Sequence, residues 1–196
     1  MQTLAGRAEH SEAIKKSRFI ARAAPVESVV AALAFIEAVS EPQATHNCWA
    51  YRLGDAYRFN DDGEPGGTAG KPILGAIERA GLDGVVVVVT RYFGGIKLGA
   101  GGLARAYGSC AAACLRAAPK RRRVPRTRLR VGVDFEAAGA LHALVERFAA
   151  ERAGEHYSDA GLELELTIAD ARRPEFEAAL RDATSGAVRI EPDAAD

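Results

Sequence analysis

Five consecutive valines, Val85–Val89, constrain this chain more than any other feature. A β-branched run of this length, bounded by Gly84 and by a glycine-rich stretch after Tyr92, predicts a strand buried on both faces at the middle of a sheet. Everything near it must then supply cover. Upstream, Val29, Val30, Leu33 and Ile36 recur at helical spacing in VESVVAALAFIEAV, which predicts an amphipathic helix ending before Pro42 and packing on that sheet through those residues. Residues 47–53 and 56–60 read as two strands joined at Gly54-Asp55, followed by the turn-rich DDGEPGG. A short helix is expected from Lys71-Pro72, with Ile73, Leu74 and Ile77 on its apolar side and Gly81 at its end. A longer one is expected after Gly102, with Leu103, Tyr107, Cys110 and Cys114 in one stripe.

Residues 118–126, APKRRRVPR, combine two prolines with a run of positive charge and show no apolar periodicity. That composition predicts a basic linker over 119–126 between a first domain, 1–118, and a second, 127–196. In the second, Leu129, Val131, Val133 and Phe135 alternate as a strand. Leu141, Leu144, Val145 and Phe148 mark a helix, and Leu162 to Ile168 alternate again. Phe176 and Leu180 mark another helix, Val188 and Ile190 a last strand, and His156-Tyr157 a short additional one. The order βαββαβ predicts a ferredoxin-like sandwich, and the fold class of the whole chain is α+β.

Composition is that of an ordinary folded protein, with 48% hydrophobic and 27% charged residues. No apolar run approaches the roughly 18 residues of a membrane span. The first residues lack the apolar stretch of a secretory signal, so a cytoplasmic protein with no membrane partner is expected. Cys48, Cys110 and Cys114 form no CxxC and cannot all pair, which excludes a disulfide framework or zinc ribbon and leaves no cofactor motif. Lys plus Arg equals Asp plus Glu at 26 each, so overall charge selects no partner. Its distribution does: no acid lies between Asp83 and Asp134, a stretch rich in arginine and lysine.

Two segments concentrate the chemistry. DDGEPGGTAGKP, 61–72, ends at a helix start, where free backbone N–H groups and the helix dipole attract anions and Lys71 adds a full charge. It is no P-loop, since G-x-x-x-x-G-K-[ST] would put glycine at 65 and a hydroxyl at 72, where Pro65 and Pro72 stand. TRYFGGIKLGAGGLARAY, 90–107, carries Gly94, Gly95, Gly99, Gly101 and Gly102 among Arg91, Lys97 and Arg105. Its G-x-G-x-x-A lies too far from the strand for a dinucleotide fold. Phosphate groups fit both segments, and Thr68, Gly70 and Lys71 together with the second segment's glycines and cations form the expected anion or nucleic-acid site. Tyr92, Phe93 and Tyr107 offer rings for stacking on bases, with core packing as the competing reading. Asp61, Asp62 and Glu64 are candidates for a metal or acid role, against a solvated turn. His46 and Cys48 share one strand face, as a nucleophile pair would, against simple burial of the thiol.

FNDDGEPGGTAGKPIL followed by VVVVVTRYFGGIKLGAGGLARAYG resembles the central signature of the YigZ/IMPACT family, and THNCWAYR resembles the strand before it. Gly66 stands where serine is commoner. The resemblance implies a first domain of the ribosomal protein S-five domain-two kind, a second related to parts of elongation factor G, and a binding protein associated with RNA or the ribosome, with a role in translation regulation. The eukaryotic relatives' kinase-pathway role rests on a further domain for which this chain has no room, and it does not carry over. Two alternatives remain: an enzyme acting on a small phosphorylated substrate, with Asp62 or Glu64 as base or metal ligand, and a protein-interaction scaffold using the second domain's sheet.

Overall fold

The computed structural model describes residues 1–192, and the chain divides into two compact units, Met1–Arg123 and Val124–Asp196. Both mix α and β elements around antiparallel sheets.

The first unit is built on a five-stranded sheet. Its strands are β2 (Ala8–Ile14), β3 (Ser17–Pro25), β4 (His46–Leu53), β5 (Ala56–Asn60) and β6 (Val85–Tyr92), in the order β2-β3-β6-β4-β5. The valine strand is thus central, and every pairing is antiparallel. Successive side chains alternate between faces, so Val85, Val87 and Val89 enter one core while Val86 and Val88 enter another. Two helices, α2 (Gly70–Arg79) and α3 (Ala100–Ala117), cover the first face; α1 (Val29–Val39) covers the second. Double cover explains an uninterrupted apolar strand in an antiparallel sheet, a pattern more usual in parallel ones.

Three expectations change here. The buried side of α1 is Ala32, Phe35 and Ile36, whereas Val30 and Leu33 are 66% and 41% exposed. A helix made almost wholly of apolar residues has no polar face to fix its rotation. Ser28, whose Oγ accepts from Ala31 N at 3.1 Å, and the fit of Phe35 against Tyr51 and Val86 decide it instead. The segment before α1, for which the sequence suggested no element, forms β2 and β3. Residues 119–126, expected to link two domains, begin instead with β7 (Lys120–Arg122), which pairs with β1 (Gln2–Leu4). Arg123 then bonds to the buried carboxylate of Asp83, which also accepts from Gly54 N at 2.6 Å.

The second unit runs β8 (Arg126–Val133), α4 (Ala138–Arg147), β9 (Glu151–Ser158), β10 (Gly161–Ala169), α5 (Arg173–Ala183) and β11 (Arg189–Pro192). Its sheet order is β11-β8-β10-β9, all antiparallel. Leu129, Val131, Leu164 and Leu166 pack on Leu141, Val145, Phe176 and Leu180 of the two helices. The first strand stops at Val133, because Asp134 Oδ1 accepts from Ala137 N at 3.0 Å and turns the chain toward α4. Phe135 therefore leaves the expected alternation and stands 56% exposed, stacked on Tyr157.

The rotation of α1 is open to direct test. Phe35→Ala should cost about 3–5 kcal/mol, whereas Val30→Gln and Leu33→Gln should each stay within about 0.5 kcal/mol, read from urea denaturation midpoints.

Candidate functional site

The turn before α2 is organised by one carboxylate. Asp61 Oδ1 accepts from Ala69 N at 2.9 Å and Gly70 N at 2.8 Å, while Oδ2 accepts from Gly67 N at 2.7 Å. Burial pushes the Asp61 carboxyl up, but the amides of Gly67, Gly70 and Ala69 outweigh it and hold it below its ordinary range. Ala69, the N-cap, offers no side chain of its own, so Asp61 is the cap of α2. Glycine is required at 63 and 67, where φ is +82° and +74°, and at 70, where a Cβ would lie 2.7 Å from Asn60 O. Thr68 Oγ1 donates to Pro65 O at 2.6 Å. The helix start that the sequence offered to an external anion is thus filled by an internal one. Of Thr68, Gly70 and Lys71, Lys71 alone faces water.

The neighbouring acids are equally committed. Glu64, 8% exposed, accepts on Oε1 from Arg91 Nη1 at 2.6 Å and from the fully buried Tyr107 hydroxyl at 2.8 Å. Arg91, 5% exposed, reaches Ser17 Oγ at 3.4 Å and lies against the rings of Phe19 and Phe93, 5.5 and 5.3 Å from their centroids. Asp62 Oδ2 accepts from Asn47 N at 2.5 Å, and its carbonyl lies 2.6 Å from His46 Nδ1. A carbonyl only accepts, so Nδ1 carries the proton and Nε2 faces Glu64 Oε1 at 3.8 Å. Cys48 Sγ donates to Asp61 O at 3.0 Å. Cys48 is fully buried and burial pushes its thiol up to about 12, which favours a core thiol over the nucleophile reading for His46 and Cys48. The Tyr107 ring is fully buried in the core and is no stacking platform, and burial raises its hydroxyl, helped by Cys48 and Glu64. Asp61 and Glu64 buttress the turn through these bonds, while Asp62, also tied to it by Oδ2, is exposed. Among the described residues no group of three or more His, Cys, Asp or Glu side chains could hold a metal ion. Arg91 likewise is spent inside.

The second glycine segment begins with Phe93 N donating to Thr45 Oγ1 at 3.0 Å and Gly94 N to Ser17 Oγ at 3.2 Å. A Cβ at Gly94 would sit 2.0 Å from the Lys16 carbonyl, and Gly95 and Gly99 have φ of +83° and +74°. The α3 helix starts at Ala100, so Gly101 and Gly102 occupy its first turn instead of preceding it. Gly99 caps it with no side-chain bond.

Between α2 and α3 opens a groove of about 770 Å³. Ile14, Pro72 and Leu98 contribute apolar surface, and Lys15, Arg79 and Arg105 contribute charge. Both glycine segments therefore border one hollow, through Pro72 on one side and Leu98 and Gly102 on the other. Lys71 and Lys97 are exposed but line none of it. Sequence reasoning missed Lys15 and Arg79. Lys15 and Lys16 form the two-residue turn between β2 and β3, both with positive φ, +45° and +66°. That is the conformation a type I′ hairpin needs and lysine disfavours.

Known proteins share this sequence and fold. The Impact N-terminal domain matches residues 15–115. The chain is 58% identical over 132 residues to "IMPACT family member in pol 5'region" of Thermus thermophilus, covering 67% of this chain and 73% of that one. It is 37% identical over 186 residues to "IMPACT family member YigZ" of Escherichia coli, covering 91% of each. A crystal structure of a hypothetical protein superposes with a TM-score of 0.75 at 35% identity, covering 100% of this chain and 98% of that one.

The capping role of Asp61 sets a pH dependence. A carboxyl whose pKa is depressed on folding contributes its full stability above the ordinary Asp range of about 3.9 and loses it as pH falls through the depressed value. Asp61→Asn should lower stability at neutral pH by about 1–2 kcal/mol, the difference closing below about pH 4 in urea titrations. At Gly66 nothing lies within 4 Å of where a Cβ would stand and φ is not positive, so Gly66→Ser should be tolerated, whereas Gly94→Ala should disrupt the fold.

Proposed function

The chain belongs to the IMPACT family, and from that premise we propose that it is a non-catalytic binding protein for RNA, whose phosphates are held at the cationic rim of the α2–α3 groove. One observation carries the reading. Lys15, Lys71, Arg79, Lys97 and Arg105 are all exposed, and none has an ion-pair partner among the described residues. Two of the acids nearby in sequence, Asp61 and Glu64, point inward, to backbone amides, Arg91 and Tyr107, and Glu78 faces Arg52 at 3.8 Å. At the margin Glu12 accepts from Ser109 Oγ at 3.1 Å. A chain of zero net charge thus keeps a locally positive face, and such a face attracts a phosphate backbone through counterion release. Glu64, one candidate base or metal ligand of the enzyme reading, is buried against Arg91 and Tyr107, which favours the binding reading.

On this reading the first unit is of the ribosomal protein S-five domain-two kind and the second a ferredoxin-like sandwich. Its βαββαβ order and its strand order β11-β8-β10-β9 support the latter. A cytoplasmic, ribosome-associated protein with a part in translation regulation is the setting such a pair suggests. No helix among the described residues is long and apolar enough to cross a membrane.

The test is binding of a labelled RNA oligonucleotide across a salt series. Log affinity should fall against log salt with a slope of about −3 if four or five phosphates are neutralised. Arg79→Glu/Arg105→Glu should weaken binding at least tenfold. Lys15→Asn/Lys16→Gly should weaken it too, while raising the melting temperature, because Asn-Gly suits the turn that two lysines now strain. Unchanged affinity in both variants would remove the proposal.

A further inference from the structure

Two glycines sit four residues before two groove arginines. Gly75 precedes Arg79 on α2, and Gly101 precedes Arg105 on α3. On a helix, positions four apart are neighbours on one face. A Cβ at Gly75 would lie 3.0 Å from Arg79 Nη1 and 3.7 Å from its Cζ, and one at Gly101 would lie 3.5 Å from Arg105 Nη1. Each missing Cβ is the space into which a guanidinium folds back along its own helix. Neither guanidinium has a carboxylate partner among the described residues. Glycine inside a helix costs about 0.5–1 kcal/mol relative to alanine, so two such placements are a cost that the helices alone do not explain.

Besides these cations the groove has an apolar floor. Ile14 and Leu98 pack against the core and Pro72 faces in from α2, while small residues at Gly102, Ala104 and Gly108 keep the α3 side low. Inorganic polyphosphate or the ridge of a duplex would meet the cations and leave this apolar floor uncovered. An unstacked nucleobase covers it, and a guanidinium plane stacks on a base as readily as it binds a phosphate. The volume of about 770 Å³ is within the range of small-molecule sites.

We infer that the groove is a single-nucleotide site for single-stranded RNA, one splayed base lying on the Ile14, Pro72 and Leu98 floor between Arg79 and Arg105, with its phosphate met by the same cations and Lys15. This inference rests on the RNA-binding reading above and names its strand type. Its test compares single-stranded RNA, duplex RNA with the same number of phosphates, a nucleoside 5′-monophosphate and inorganic polyphosphate, on the full chain. Single-stranded RNA should bind at least tenfold tighter than duplex or polyphosphate, in line with the roughly 1–3 kcal/mol that stacking of a base contributes. Leu98→Asn should lower single-strand affinity several-fold and leave polyphosphate affinity unchanged, and Gly75→Ala/Gly101→Ala should lower single-strand affinity several-fold and by more than it lowers polyphosphate affinity. The glycine pair guards against misfolding, since alanine favours both helices and should raise the melting temperature. Equal affinity for all polyanions, with both variants silent, would overturn the single-nucleotide site and leave the cationic rim standing. Preference for the free monophosphate over the strand would overturn the assignment to RNA. Absence of binding to every probe would end both readings.

Discussion

The buried pair of Glu64 and Arg91 is the interaction on which the arrangement of the first unit depends. It joins the turn before α2 to the central strand β6, and the Tyr107 hydroxyl on the same oxygen adds α3. Taking two charges out of water costs several kcal/mol per ion, and their attraction repays that only when the remaining hydrogen bonds are made. Here Ser17, Phe19, Phe93 and Tyr107 surround the pair, so removing either partner strands a charge in a dry site. The pair is better understood as fixing which way the turn sits than as a net source of stability.

That fixed turn separates the charges. Asp61 is consumed by three amides, Asp62 by Asn47, and Glu64 by Arg91 and Tyr107. Lys15, Lys71, Arg79, Lys97 and Arg105 have no such partners among the described residues and remain outside. A sequence with equal numbers of acids and bases therefore presents a basic groove. The amide nest at the α2 start, which looks in sequence like an anion site, is already neutral; the usable positive charge is on side chains around the groove.

Much of the fold was legible because it follows from apolar spacing. The five valines placed β6, alternation placed β8 and β10, and proline and glycine bracketed α2. The strands β2 and β3 were not legible, since AEHSEAI and SRFIARAAP mix charge and alanine in segments whose core contacts come from Phe19, Ala21 and Ala23. Alanine has little strand preference, and only pairing with β6 makes those positions buried. The rotation of α1 was lost for the opposite reason, an excess of apolar residues. At the candidate site Arg105 and Gly102, named in sequence for an anion site, line the groove, while Arg91, named with them, is buried, because sequence shows a charge and not its direction. Lys15 lies far from the glycine signature along the chain and Arg79 two turns beyond its first segment on α2, and their meeting at one groove is a tertiary fact.

A double-mutant cycle on Glu64→Gln and Arg91→Met, with Tyr107→Phe as a third corner, measures the central claim most directly by urea denaturation. If the pair is internal and structural, each single change should cost about 3 kcal/mol or more, and the double change should cost markedly less than their sum, a coupling above about 1 kcal/mol. Additive effects within about 0.5 kcal/mol would contradict it, because two residues that do not meet in a dry interior have no reason to depend on one another.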